Sequence, residues 1–406
     1  MSHIWSCGDE NNDNTSGREW DTLSGAGGSS VASPIHGGAA FGQRAWQANH
    51  AANNVTHQTH QFGATGNSGN IWYLATAAYW HTFPAIECAF IQLLQAVVAT
   101  IEVRISSGGV IRLYKSDTGT QIGSDVLTIS TGVMYWYSIA YDGNAGTPTA
   151  TLYVGQEGGR LALIATGAAA AASSVRFRRG IITSTTGRVI FDDAVVNNNA
   201  GSFNNTVIQE TYIQAHRPNA AGDLNECSAG DHTSVDEVTS DEATTLAVFD
   251  ADNDDLDVNI EASNAVTGLG PVNLRIPFAD VMVRERSASA SASGWNARLK
   301  TQASGTVGTG PTNSHNDTTF QTNGDGAPRI PYASESDPQT ANRPHDLARI
   351  ANWQIGVTAS DATPDVEVTQ LWGNVAYEYM AVRVNPPPVH SPNALGMSSD
   401  LLLKVA

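Results

Sequence analysis

The side chains best suited to chemistry in this sequence are the carboxylates of residues 250–255. Asp250, Asp252 and Asp254 stand at the first, third and fifth positions of a calcium-binding loop, and Glu261 stands at the twelfth. The sixth position is an aspartate, where such a loop needs glycine for its turn, and the flanking residues alternate in hydrophobicity as strands do. We therefore interpret the stretch as an acidic hairpin turn, with a calcium site formed by the three aspartates as the alternative.

Aromatic side chains are concentrated in residues 71–80, which contain Trp72, Tyr73, Tyr79 and Trp80. An exposed aromatic cluster can stack on the face of a sugar, as in carbohydrate-binding modules. The competing interpretation is a sandwich core, which the large apolar area of these side chains favours. These four residues are the candidates for glycan contact if the cluster is exposed.

The densest basic stretch contains Arg176, Arg178 and Arg179. In a strand, Val175 and Phe177 would point inward and the first two arginines would point outward. Because the chain is acidic, we predict that these arginines pair with carboxylates of a neighbouring subunit.

Sequence patterns of catalysis are missing. The chain has no Gly-x-Ser-x-Gly, no phosphate-cradling Gly-Lys-Ser/Thr loop and no His-Glu-x-x-His. Glu102, Glu210 and Glu378 are isolated in the sequence, whereas glycoside hydrolysis needs paired carboxylates. Asp192 and Asp193 are adjacent and could bind a cation, but we favour the interpretation that both carboxylates are exposed to solvent. The sequence therefore predicts a protein that is not an enzyme.

Composition excludes several classes of partner. The 406 residues carry a net charge of -18, which opposes binding to nucleic acid and to anionic membranes. A hydrophobic fraction of 41% is sufficient for packed cores, so wholesale disorder is not expected. The first residues show no signal-peptide pattern, and no apolar run is long enough to span a bilayer.

Period-two hydrophobicity, with Gly, Asn and Asp at the turns, predicts an all-β chain. Ile111 and Leu113, for example, alternate with Arg112 and Tyr114. We predict two β-sandwich (jelly-roll) domains, of residues 1–202 and 203–385, and an extended C-terminal tail of residues 386–406. The seam is placed in a polar, Asn-rich stretch near residue 200.

Five short segments follow one another in the first half of the chain: 111–114 (IRLY), 120–123 (TQIG), 135–137 (YWY), 151–154 (TLYV) and 190–196 (IFDDAVV). Their order resembles that of laminin-G-like, concanavalin A-like jelly-roll domains of the kind found in structural proteins of tailed bacteriophages. Residues 4–10 are similar to the first strand of those proteins, which pairs beside the last strand. Residues 217–223 and 234–237 resemble parts of the second β-domain that often follows.

The resemblance implies a non-enzymatic structural component of a phage virion, assembled in the host cytoplasm. The expected role is a tail-tip, fibre or surface protein whose lectin-like domain mediates attachment. A capsid or tail decoration protein is the alternative, and a free carbohydrate-binding lectin is a further one. The expected partners are other virion proteins, further copies of the chain and host surface glycans, without nucleic acid or membrane insertion. No cofactor is expected apart from the calcium alternative.

Overall fold

The computed structural model describes residues 3–7, 20, 22–25, 27–32, 44–62, 71–95, 98–144, 147–157, 160–169, 175–199, 206–237, 245–261, 274–322, 332–340 and 343–379. The predicted tail of residues 386–406 lies outside these ranges. Strands make up most of the described chain, and its helical segments are short 3-10 turns, so the predicted all-β class is confirmed. None of the helices in these ranges is long and apolar enough to cross a membrane.

Thirteen strands of the first half form one antiparallel sheet, ordered β12-β11-β10-β5-β13-β6-β7-β8-β9 with β1 to β4 attached beside this path. The strands are β1 (His3–Cys7), β2 (Thr22–Ser24), β3 (Gly28–Ala32), β4 (Arg44–Phe62), β5 (Ile71–Thr82), β6 (Cys88–Gln95), β7 (Val98–Ile105), β8 (Val110–Lys115), β9 (Thr120–Thr128), β10 (Met134–Asp142), β11 (Thr149–Gln156), β12 (Ala162–Ala168) and β13 (Val175–Asn198).

The sheet curls until its two ends, β9 and β12, lie side by side. The two strands can approach closely because each carries a glycine where they meet. A Cβ on Gly123 would lie 3.3 Å from the backbone nitrogen of Thr166, and a Cβ on Gly167 would lie 3.1 Å from Ile122. Strand β1 pairs with β13, the last strand of this sheet, as the resemblance implied. The curled sheet encloses a first core.

The first core is made by the alternate side chains that the sequence pattern predicts. Ile111 and Leu113 are fully buried, whereas Arg112 and Tyr114 on the other face are half-exposed. The largest side chains of this core are aromatic: Trp20, Trp46, Trp72, Trp80, Phe90, Tyr137, Tyr141, Phe177 and Phe191.

The strands after residue 206 form two further antiparallel sheets. The second sheet contains β14 (Thr211–His216), β16 (Ala247–Phe249), β18 (Leu274–Arg275), β19 (Ala279–Ser287), β23 (Gln321–Thr322), β24 (Tyr332–Ser334) and β26 (Val366–Tyr379). The third contains β15 (Pro218–Asn225), β17 (Asp255–Ile260), β20 (Ser293–Lys300), β21 (Gly308–Thr309), β22 (Asn313–His315) and β25 (Gln354–Asp361). The 3-10 turns are His232–Ser234, Pro338–Thr340 and Leu347–Asn352.

A second core lies between these two sheets and also takes in residues of the first sheet. Its members from the first half are Ala75, Ala77, Met134, Trp136 and Val195. They stand on β5, β10 and β13, on the face that does not point into the first core. The three central strands are therefore buried on both faces, and the halves share apolar packing.

Polar contacts join the two halves at the same place. The indole nitrogen of Trp136 donates to the carbonyl oxygen of Ile208 at 3.3 Å. The carboxylate of Asp193 accepts from the backbone nitrogen of Ile213 at 2.8 Å. Because Asp192 and Asp193 are both buried, the prediction that they form a solvated pair is wrong. The chain needs Asp193 to satisfy a buried strand nitrogen.

The Trp136→Ala substitution tests this shared packing. The indole is 2% exposed and fills the second core, so we expect the change to lower the free energy of unfolding by about 3–5 kcal/mol. Urea unfolding followed by fluorescence and circular dichroism measures the loss.

Leu163→Ala is the matched control, because Leu163 is 49% exposed on β12. We expect the control to change the free energy of unfolding by less than about 0.5 kcal/mol. Equal and small losses in the two variants would contradict the shared core.

Candidate functional site

The aromatic residues of β5 alternate between the two cores. Trp72 and Trp80 are 2% and 0% exposed in the first core, where the Trp80 ring packs 5.6 Å from the ring of Phe90. Tyr73 and Tyr79 stand on the opposite face, are half-buried and pack against the second core. The favoured core interpretation is therefore confirmed for the two indoles, and the alternative of an exposed stacking surface does not hold for them. A role of the two tyrosines in glycan contact stays a prediction.

The arginines predicted to meet a neighbouring subunit occupy different environments. Arg179 is fully buried, and its guanidinium lies 4.4 Å from the ring centre of Trp20. It also donates to Gln58 and Thr76 at 3.0 Å each. Burial places Arg179 out of reach of any partner, so the interface prediction is wrong for this residue. The reason is regular alternation: Arg179 stands two residues after Phe177, in the part of β13 whose register to β4 is unbroken, so it points to the same buried face.

Arg176 and Arg178 are half-buried on the outer face of the first sheet, where an interface role stays a prediction. Arg178 donates to the hydroxyl of Thr59 at 3.1 Å and to the amide oxygen of Gln92 at 3.2 Å. Its guanidinium is therefore already engaged within its own sheet.

A row of polar side chains continues from Arg178 across β6 and β7. The amide nitrogen of Gln92 donates to Glu102 at 2.6 Å, and Arg104 and Ser116 donate to the same carboxylate at 2.7 and 3.0 Å. Glu102 is isolated in the sequence but occupied on both oxygens in the structure. A carboxylate held in this way serves as a structural acceptor, because a general acid or base needs a free oxygen facing substrate.

The acidic stretch is a corner between sheets, and the prediction of a hairpin turn is wrong. The strands on its two sides, β16 and β17, belong to the second and third sheets. Asp252 accepts from the backbone nitrogen of Ala362 at 2.8 Å, and Asp254 from that of Ala251 at 3.1 Å. Within the described ranges, no group of three His, Cys, Asp or Glu residues is arranged to hold a metal ion. The proposed calcium ligands Asp250, Asp252 and Asp254 stay a prediction.

A cavity of about 230 Å³ lies at the seam between the two halves. Asn197 lines it from the end of β13, and Gln209, Thr211, Arg275 and Glu378 line it from the second half. Arg275 binds one carboxylate oxygen of Glu378 through two nitrogens, at 2.8 and 2.6 Å. Burial raises the pKa of Glu378, and Arg275 opposes this rise. Sequence reasoning missed the pair because its members are about a hundred residues apart.

A second set of charges lies on the third sheet, on the face turned away from the second core. Arg298 and Lys300 of β20 meet Asp257 of β17, and Lys300 also lies 3.4 Å from Asp223. Arg298, Lys300 and Asp257 are nearly inaccessible to solvent. No sequence motif marks this cluster, since the strands that carry it are brought together only by the sheet.

His216 is a buried titratable group that links the second and third sheets. Its Nδ1 lies 3.0 Å from the carbonyl oxygen of Glu261, and its Nε2 lies 2.9 Å from the hydroxyl of Tyr377. Since a carbonyl only accepts, Nδ1 carries the proton and Nε2 accepts from the tyrosine. Burial lowers the pKa of His216 to about 4, and the Glu261 carbonyl opposes part of that decrease.

No family model matches the chain, and no curated protein sequence is similar to it. Among solved structures, the chain is similar to a glycoside hydrolase family 131 catalytic domain from Coprinopsis cinerea, at 12% identity and a TM-score of 0.32 over 51% of this chain and 98% of that one. Another is lectin I-B4 from Griffonia simplicifolia, at 8% identity and 0.29 over 38% and 87%. A third is a carbohydrate esterase from the Shiga toxin-encoding bacteriophage phi24B, at 11% identity and 0.30 over 43% and 88%. These likenesses are too weak to assign a function.

Acid should destabilise the protein through His216. The folded state holds the pKa near 4 and the unfolded chain near 6.5, so between these values only the unfolded chain binds the proton. The neutral histidine therefore supports the fold fully above pH 6.5. As the pH falls from 6.5 to 4, we expect a loss of about 3 kcal/mol in unfolding free energy from this group.

Urea unfolding at a series of pH values measures this dependence. His216→Gln removes one titrating group and should reduce the slope between pH 6.5 and 4, although its stability at neutral pH is lower. The remaining slope comes in part from His57, whose pKa burial and Arg178 lower to about 4. His232→Gln, in the first 3-10 turn, is the matched control and should retain the wild-type slope. Equal slopes in all three proteins would contradict the assignment to His216.

Proposed function

We propose that this chain is a non-enzymatic structural component of a tailed-phage virion, present in many copies on the particle surface. The observation that carries the proposal is the burial of β5, β10 and β13 on both faces. The aromatic side chains that could contact a ligand, Trp72, Trp80 and Trp136 among them, are used to pack the cores. Such packing is typical of a rigid structural protein and leaves these aromatic side chains unavailable to a ligand.

The state of the carboxylates supports a role without catalysis. Glu102, Asp257 and Glu378 are each engaged by a cationic side chain of the same sheet. Hydrolysis of a glycosidic bond needs two carboxyl groups that face each other across an open cleft. These three acids are therefore committed to pairs within the protein.

Between the two virion roles, the burial of the indoles favours a decoration protein over attachment through an aromatic surface. A decoration protein binds by a broad face repeated over a lattice, so each copy needs only moderate affinity. Arg176, half-buried on the outer face of the first sheet, would then meet carboxylates of neighbouring copies or of the particle shell, with Arg178 beside it. A net charge of -18 gives such carboxylates in excess on a second copy of the chain.

Attachment to host glycans is the second candidate, favoured by the seam cavity. Its volume of about 230 Å³ is below the range of drug-sized pockets and suits a single sugar unit. Arg275, Glu378 and Gln209 provide donors and acceptors for hydroxyl groups. A free lectin would use the same cavity without belonging to a particle.

Imaging of the assembled particle by electron cryomicroscopy tests the proposal directly. We expect the chain in regular arrays, each copy burying more than about 1,000 Å² against its neighbours. Absence of the chain from purified particles, or release of sugar from any polysaccharide by the purified protein, would overturn the structural role.

A glycan array separates decoration from attachment. Decoration predicts no signal. Attachment through the seam predicts a signal that Glu378→Gln weakens by about tenfold, the effect of losing one charged hydrogen bond. Glu367→Gln is the matched control, since Glu367 pairs with Arg286 away from the seam cavity.

A further inference from the structure

The charged cluster of the third sheet contains a lysine held against a carboxylate. Lys300 Nζ contacts Asp257 Oδ2 directly, and their side chains are 5% and 1% exposed. A second carboxylate oxygen, Oδ2 of Asp223, lies 3.4 Å from the same nitrogen. One amine and two carboxylates therefore converge, with Lys300 and Asp257 nearly inaccessible to water and Asp223 at the solvent-exposed edge of the cluster.

A glycine makes this convergence possible across an intervening strand. Lys300 stands on β20 and Asp257 on β17, and both strands pair with β25. Gly356 of β25 is the register partner of Asp257. A Cβ at this glycine would lie 2.7 Å from Asp257 Oδ1, so any other residue would push the carboxylate aside. On β20 the register partner of this glycine is Arg298, and Lys300, two residues further along the same face and in register with Gln354, reaches Asp257 diagonally.

The two carboxylates differ in their surroundings. Burial raises the pKa of Asp257, although Lys300 and Arg298 oppose the rise. The backbone N–H of Ser304, with the amide of Gln354, lowers the pKa of Asp223. Burial thus makes Asp257 easier to protonate, whereas the hydrogen bonds to Asp223 favour its ionised form, in which it can act as a base.

We propose that Lys300 and Asp257 join in an intramolecular amide bond, with Asp223 as the base that promotes it. Lys300 is the nucleophile, the side-chain carboxyl of Asp257 is the electrophile, and Arg298 lies where it can stabilise the charge that forms on the carboxyl oxygen. The bond would link β17 to β20 across the sheet. It is a modification of the chain itself and does not depend on the proposed virion role.

The reaction needs no oxidant, cofactor or other reactant. A proton moves from the ammonium of Lys300 to the carboxylate of Asp257, which gives a neutral amine and a neutral acid in a site that disfavours separated charge. The nitrogen lone pair attacks Cγ of Asp257 and forms the N–C bond. Asp223 takes a proton from the nitrogen and returns it to the departing hydroxyl. The C–O bond breaks and one molecule of water leaves.

Arg298 is placed to assist the intermediate. Its Nε lies 3.3 Å from Oδ1 of Asp257, the oxygen that becomes the amide carbonyl. A fixed cation at that distance stabilises negative charge on the oxygen during the attack. The same guanidinium is held in place by Asp255, which also accepts from Thr358 at 2.6 Å.

Mass spectrometry of the purified full-length protein tests the bond. We expect the intact mass to be one water below the sequence mass. Trypsin should fail to cleave after Lys300, and fragmentation should identify a branched peptide that joins Asp257 to Lys300. An intact mass equal to the sequence mass, together with normal cleavage after Lys300, would overturn the proposal. Because the experiment uses the wild-type protein, misfolding of a variant could not explain that result.

Variants assign the roles of the three residues. Lys300→Arg keeps the positive charge but should abolish the loss of water, and Asp257→Asn should lose one ammonia in its place. Asp223→Asn keeps the shape of the base and should leave the chain unlinked. A linked Asp223→Asn protein would overturn the role of Asp223.

The matched control is Lys115→Arg, because Lys115 pairs with Asp117 at 3.6 Å on an accessible turn. This variant should lose water as the wild-type protein does. Circular dichroism confirms in each case that the protein is folded. Loss of water in Lys300→Arg, or its absence in Lys115→Arg, would show that the dehydration occurs elsewhere.

Discussion

The structure depends on apolar packing against both faces of three adjacent strands, β5, β10 and β13. Alternate side chains of each strand point into the first core, and the intervening side chains point into the second. Each buried Å² of apolar surface contributes about 25 cal/mol, so a strand used on both faces gives about twice the burial of a strand with one solvated face. The same three strands therefore stabilise the first half through one face and pack against the second half through the other.

Polar groups at this junction are matched because an unpaired buried donor or acceptor would destabilise the fold. Trp136 gives its N–H to Ile208, and Asp193 accepts the N–H of Ile213. Between the second and third sheets, His216 forms hydrogen bonds with the carbonyl oxygen of Glu261 and the hydroxyl of Tyr377. The chain just after the seam is thereby fixed by hydrogen bonds as well as by apolar contact.

The distribution of cations is informative in so acidic a chain. Only 21 lysines and arginines are present, yet Arg179, Arg298 and Lys300 are buried. Burial of a charge is unfavourable unless partners satisfy it, and each of these side chains has several. Arg179 supports the first core beneath Trp20, whereas Arg298 and Lys300 hold the polar face of the third sheet. At these positions charge contributes to the packing of the protein interior.

Local sequence by itself determined the strand class, because hydrophobic alternation and turn residues act over a few positions. It correctly placed Ile111 and Leu113 inward, whereas the position of β1 beside the last strand of the first sheet was implied by the resemblance to concanavalin A-like domains. It could not decide whether Trp72 and Trp80 were exposed, because either face of a strand can carry aromatic residues.

Only the tertiary structure showed that both faces of β5 are covered. It also made Asp193 a buried acceptor, turned the acidic stretch into a corner between sheets, and brought Glu378 to Arg275 and Asp257 to Lys300. These outcomes depend on which strands become neighbours. Neighbour choice is set by packing between residues far apart in the chain, which no local pattern records.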